Sequence, residues 1–226
     1  MSAFLAIDTS TGTSVALVAG GTVLAEVNFE DRMGHSESIG TALAEVFAKA
    51  DLAPSRISAV IAGRGPAPFT GLRVGIAAAI AFAEGVARPI FGVVSHDAIA
   101  LAALEAQSSG PSGTRVSMQS PLLVTSDARR SEVYWSLYSG LDQHGAPVCI
   151  EGPKVSKPAE LETLLAERGL NPSRADQPAT ARHLALVAER LELAGRLEPD
   201  VSALYLRAPD AVASNPQVRL GRPAGQ

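Results

Sequence analysis

A chain of 226 residues with 46% hydrophobic residues can bury roughly 70% of its unfolded surface, which suits one large domain or two small ones on a shared plan. The formal net charge of -4, with 19 Lys and Arg scattered rather than clustered, excludes a nucleic-acid grip by this chain alone. The single cysteine, Cys149, rules out an internal disulfide and reads as a buried thiol in a strand, in keeping with a reducing cytosol; neither a signal peptide nor a membrane span is expected.

FLAIDT (4–9), TSVALVA (13–19) and TVLAEVNF (22–29) are rich in Val, Leu and Ile and separated by short turns, so they predict an antiparallel meander. His35 to Ala50 then carries Ile39, Leu43, Val46, Phe47 and Ala50 on one helical face. A strand at 57–62 leads into the glycine-spaced loop GRGPAPFTGLRVG (63–75), a helix over 72–86 with Thr70 as its cap, and a strand at 89–94. Ser95 offers an N-cap to a helix running to about Gln107, and residues 108–120 read as a linker.

The pattern then restarts. Strands at 121–127, 132–138 and 146–152 repeat the meander, and Asp127 ends its first strand as Asp8 ends the earlier one. Helices follow at 158–168, with Ser156 as cap and Gly169 as stop, and at 180–194, stopped by Gly195. From 207 periodicity is lost and a mobile tail is expected. The layout is an actin-like, Hsp70-like two-lobed α/β fold built from two RNase H-like halves: a first lobe at 1–107, a linker, a reduced second lobe at 121–206, and a tail at 207–226.

Four stretches could carry chemistry. In the 63–75 loop, Pro66 and Pro68 remove two of the backbone donors that an anion cradle needs, so its glycines are better read as turn residues. DTSTGTSVAL, from Asp8 with Ser10, reads as a degraded nucleotide site or an ordinary hairpin turn. DARRSEVYW, with Asp127 and Arg129, reads as a solvated charge cluster or a polar site facing the cleft. GHSES (34–38) has Ser38 where a nucleophile elbow needs glycine; His35 has Ile39 at i+4, and His96, His144 and His183 lack partners at metal spacing, so no metal site is read.

Gly71, Gly75, Ala79 and Ala83 fall at intervals of four and give the helix a bare stripe, which packs on the protein's own sheet or meets a partner chain. The helix is apolar on nearly every side, which favours a partner and predicts that Gly75→Arg breaks association while leaving the fold intact.

With AIDTSTGTSVAL, GHSES, GPAPFTGLRVG, SDARRSEVY and ALYLR in this order, the chain resembles the TsaB (YeaZ) family of tRNA-modification proteins over about residues 3 to 208. The resemblance implies a non-catalytic, cytoplasmic role beside TsaD, which transfers a threonylcarbamoyl group to the adenosine next to the anticodon of tRNAs reading codons that begin with A. TsaC and the ATPase TsaE complete that pathway. TsaD-like proteins hold their metal with a His-x-x-x-His pair on the first helix, and Ile39 occupies the second position here. The implied interface is His35, Ile39, Leu43 and Val46 on the first helix with Phe69, Gly71, Leu72, Arg73, Gly75, Ile76, Ala79 and Ala83 on the second. It would serve TsaD, or a homodimer when TsaD is absent, with tRNA met only indirectly and at most weak ADP or ATP binding in the complex. GPAPFTG stands where the family usually writes GPGSFTG, with Ala67 and Pro68 as the departures. The alternatives are a metal-independent glycoprotease-like peptidase and a degenerate actin-fold kinase.

Overall fold

Strands β1 (Ala3–Asp8) and β2 (Thr13–Ala19) are buried along their whole lengths, which is why neither alternates polar with apolar residues. The computed structural model describes residues 3–29, 35–109 and 120–207. β1 pairs antiparallel with β2 and parallel with β4 (Ile57–Gly63), and with β3 (Thr22–Phe29) and β5 (Ile90–Val93) they form a five-stranded sheet in the order β3-β2-β1-β4-β5. A second sheet, from β6 (Leu122–Asp127), β7 (Val133–Leu141), β8 (Pro147–Ser156) and β9 (Ser173–Ala175), has the order β8-β7-β6-β9 and repeats the first without its last strand. This is the expected pair of RNase H-like halves. The short β9 lies between the two expected helices of the second half, where no strand was expected, because three residues carry no periodicity.

Helices α1 (His35–Ala50) and α2 (Phe69–Gly85) cover one face of the first sheet, where Ile39, Ala42, Val46, Ala79 and Ala83 meet Leu5, Ile7, Val15, Leu17 and Val60. The rings of Phe47 and Phe82 stack at 5.5 Å between the two helices. The opposite face is covered by α5 (Ala181–Leu193), whose Ala181, Leu184, Ala185, Val187 and Ala188 pack with Phe4, Ala6, Ala16, Val18 and Ile61. α5 belongs to the second half by sequence position, yet it completes the first lobe, so the chain does not divide into lobes at one point.

Helix α3 (Ser95–Ser109) lies between the sheets. Ala98 and Leu101 face the first, while Ile99, Ala100, Ala103 and Leu104 face the second with Leu122, Val124 and Tyr138. α4 (Pro158–Glu167) covers the second sheet's other face through Leu161 and Leu165, against Leu123, Trp135 and Leu137.

Three expected caps are corrected. α2 starts at Phe69 behind Pro68, whose ring fixes φ and which has no N–H to lose, so Thr70 lies inside the helix. Ser95 spends its hydroxyl on Asp8 rather than on its own helix. At α4 the cap position is Lys157, whose N–H donates to Glu160 Oε2 at 3.2 Å, and the buried Ser156 hydroxyl has no partner. Gly169 and Gly195, at φ 63° and 67°, stop α4 and α5 as expected. Cys149 is exposed on β8 rather than buried. The expected linker core at 110–119 and the tail from 208 lie outside the described residues.

Candidate functional site at the cleft and along helix 2

The turns after β1 and β6 are built alike. Ser10 N–H donates to Asp8 Oδ1 at 2.8 Å, and Arg129 N–H donates to Asp127 Oδ1 at 2.8 Å, so each aspartate folds the chain two residues ahead of it. The two turns face each other across a cleft of about 500 Å³ lined by Thr9, Ser10, Thr11, Phe69, Thr70, Gly71, Ser126, Asp127, Arg129 and Asp176. Of the four residues expected at a nucleotide site, Ser10, Asp127 and Arg129 line the cleft and Asp8 does not.

Asp8 is 1% exposed and fully engaged by its own chain. Ser10 Oγ donates to Oδ1 at 2.5 Å, and Ser95 Oγ donates to Oδ2 at 2.5 Å while accepting from Gly65 N–H at 3.1 Å. A Cβ on Gly63 would sit 2.0 Å from Asp8 Oδ2, so the glycine lets β4 close over the carboxylate. The 63–75 loop also spends Arg64 N–H on Val93 O at 2.9 Å. These donors and acceptors hold β1, the loop and α3 together.

Below the cleft, Ser126 Oγ lies 2.9 Å from His96 Nε2, the spacing of a nucleophile and its base, and sequence reasoning did not bring these two together. The other ring nitrogen, Nδ1, meets Ser136 Oγ at 2.8 Å rather than a carboxylate. Burial pushes the His96 pKa down to about 3, so an imidazolium here would stand uncompensated. Asp97, the adjacent carboxyl, is spent on the Tyr138 hydroxyl at 2.7 Å and pushed up to about 6 by burial. The geometry ties α3 to β6 and β7 and does not activate Ser126. Among the described residues no three His, Cys, Asp or Glu side chains converge, and no helix is long and apolar enough to cross a membrane.

The expected interface is split by the structure. Leu72, Gly75, Ala79 and Ala83 all point inward, and with Ile39 and Val46 they are buried in the protein's own core. The bare stripe therefore serves the sheet: a Cβ on Gly75 would lie 2.2 Å from Thr9 Oγ1, and that hydroxyl donates to Gly71 O at 2.8 Å. Gly75→Arg cannot leave the fold intact. Leu43, Gly71 and Ile76 are half-buried, and the His35 side chain lies outside the described residues.

What α2 turns to solvent is the other side. Phe69 is 42% exposed and Ile80 39%, with Arg73, Ala77, Ala81 and Glu84 exposed beside them. Ala77, Ile80, Ala81 and Glu84 are exposed and were not among the residues expected at the interface. The signal was present in the spacing 73, 77, 80, 84, which runs up one helical face as regularly as the glycine stripe does.

The family model described as TsaD, tRNA N6-adenosine threonylcarbamoyltransferase, matches residues 22–197. An uncharacterized protein of Mycobacterium leprae is 36% identical over 98% of this chain, which spans 60% of that protein's length; one of Mycobacterium bovis is 35% identical over 93% of this chain and 94% of its own. The Escherichia coli tRNA threonylcarbamoyladenosine biosynthesis protein TsaB is 36% identical over 142 residues, 62% of this chain and 56% of TsaB. The solved structure of YeaZ from Pseudomonas aeruginosa superposes with a TM-score of 0.71 at 25% identity, covering 91% of this chain and all of that one. With the two repeated sheets, the paired aspartate turns and these matches, the chain belongs to the TsaB/YeaZ family of TsaD-like proteins.

Proposed function

We propose that the chain is a non-catalytic subunit of the cytoplasmic machinery that places threonylcarbamoyladenosine in tRNA, and that it acts by presenting the exposed face of α2 to TsaD. The observation that carries this is the arrangement of that face. Arg73, Ile76, Ala77, Ile80, Ala81 and Glu84 are symmetric about the midpoint between Ala78 and Ala79. Two such helices laid antiparallel set Arg73 against Glu84, Ile76 against Ala81 and Ala77 against Ile80, and the same contacts recur on the other side of the dyad. The face is thus complementary to itself in shape and charge. TsaD-like chains share this fold, so a paralogue offering the equivalent helix would dock in the same pseudo-twofold manner, and a homodimer would form when it is absent. Small Ala side chains at the crossing let the backbones approach, while Phe69 and Ile80 supply apolar anchors. TsaE joins in the larger complex, tRNA is met indirectly, and the cleft takes ADP or ATP weakly if at all, since Asp8 is spent on internal bonds.

The test is a reconstituted reaction with TsaC, TsaD, TsaE, ATP, threonine, bicarbonate and tRNA, run beside sedimentation analysis of self-association. Omitting the chain abolishes the product, Ile80→Asp mimics omission, and Asp127→Ala has little effect. Glu84→Arg weakens self-association and Arg73→Glu with Glu84→Arg restores it, because both copies exchange their charges together. A folded Ile80→Asp protein that still dimerises and still supports modification would overturn the reading.

A further inference from the structure

Beyond α5 the chain runs back along the first lobe as a fixed strap. Gly92 N–H donates to Glu198 O at 3.1 Å, Arg64 pairs with Asp200 at 2.6 Å and donates from Nε to Ser202 O at 2.9 Å, and Leu204 N–H donates to Arg64 O at 2.9 Å. The strap then reaches both walls of the cleft within three residues. Tyr205 packs its ring on Phe69 at 4.8 Å, and its hydroxyl accepts from Arg73 Nε at 2.8 Å; Arg73 in turn lies 3.6 Å above the Phe69 ring. Arg207 crosses to the second lobe, where it donates to Ala128 O at 3.3 Å and pairs with Glu132 in the β6–β7 turn.

We infer that residues 205–207 are an interlobe clasp that fixes the width of the cleft and ties it to the N-terminal end of α2. Two peptide units span at most about 7 Å, so with Tyr205 and Arg207 both seated the walls cannot part by more than the slack in two side chains. The three left-handed residues of the turn, Arg129, Arg130 and Ser131, at φ 62°, 53° and 58°, form the end of the second-lobe wall that Arg207 grips. Release at either end loosens the other, because the residues beyond Leu204, which stays pinned on Arg64 O, are then left with one side-chain anchor in place of two. The clasp stands on contacts within one chain, and because it shares Phe69 and Arg73 with the face proposed for docking it is tested without a partner.

Hydrogen exchange on the complete chain, without partners, decides it. The variants are Tyr205→Ala, Arg207→Ala and Tyr205→Phe, with circular dichroism as the check that each is folded. Losing a charge-assisted anchor corresponds to about a tenfold rise in opening. The clasp predicts that rise for both alanine variants at both ends, in the β6–β7 turn (128–133) and in the first bonded turn of α2 (72–76). Tyr205→Phe, which keeps the stacked ring and loses the hydroxyl, gives a smaller rise at both. Effects confined to α2 for Tyr205→Ala and to the turn for Arg207→Ala overturn the inference, as does unchanged exchange in both.

Discussion

Gly75→Ala adds one methyl group to a helix, and in an open helix that change stabilises by up to about 1 kcal/mol. Here the new Cβ would lie 2.2 Å from Thr9 Oγ1, 2.9 Å from Thr9 Cγ2 and 3.1 Å from Thr9 Cβ, all on a buried side chain at the end of β1. Thr9 is β-branched and therefore stiff at χ1, so either α2 shifts outward or Thr9 gives up its bond to Gly71 O. Overpacking of this kind costs about 1–3 kcal/mol and the lost hydrogen bond about 1 kcal/mol more. Set against the propensity gain, the net loss is about 2 kcal/mol, or roughly 4–8 °C in Tm for a chain of this size. Gly40 on α1 is the control: a Cβ there meets nothing within 4 Å, so Gly40→Ala raises Tm. Thr9→Ala removes the two shortest contacts, so Gly75→Ala in that background costs less than half as much, a coupling that a double-mutant cycle by urea unfolding reads directly. If Gly75→Ala stabilised the protein as Gly40→Ala does, or if Thr9→Ala left its cost unchanged, the stripe would not be the contact surface between α2 and β1.

Two further outcomes follow from the buried polar groups. Asp8→Ala strips partners from Ser10 N–H, Ser10 Oγ and Ser95 Oγ at once and lowers stability by about 2–4 kcal/mol in urea unfolding, whereas Asp8→Asn, which keeps one acceptor oxygen, loses about half of that. His96 has its pKa depressed from 6.5 to about 3, so the folded state refuses a proton that the unfolded chain takes, and stability falls as pH drops from about 6.5 toward 3. Asp97, raised from 3.8 to about 6, acts with the opposite sign, its burial costing stability as pH rises through that window, so the two nearly cancel between pH 4 and 6. Asp97→Asn removes the offset and exposes a slope of about 1.4 kcal/mol per pH unit there, and unfolding curves that stay parallel for the two proteins would refute it.

How far the sequence could be read depended on how many faces each element buries. The strand meanders, the helix order and the equivalence of Asp8 with Asp127 were legible because turns and apolar runs are local signals. The destination of α5 was not: Leu184, Ala185, Val187 and Ala188 announce an apolar face, but nothing local says that the sheet it covers was laid down 170 residues earlier. α3 hid in the same way, since Ala98 and Leu101 serve one sheet while Ile99, Ala100, Ala103 and Leu104 serve the other, leaving no polar side to mark which way is out.

Helix α2 is the case where periodicity picked out a stripe that the structure turns inward. It carries two stripes of matching regularity, Gly71-Gly75-Ala79-Ala83 and Arg73-Ala77-Ile80-Glu84, and a pattern of apolar residues cannot rank them. Backbone distance can. A stripe that faces a β-strand end carrying a branched threonine must be bare, because the helix can reach the sheet only by giving up its Cβ atoms, and Gly75 against Thr9 is that constraint in one contact. A surface offered to a partner needs the reverse: charge at its ends for register, bulk for anchoring, and only enough alanine for the helices to cross. Arg73 and Glu84 are the two charges on the helix, and a charge cannot be buried against a sheet without a partner of its own. The polar ends of the second stripe therefore identify the outward face, and the glycines of the first show how closely the inward face must pack.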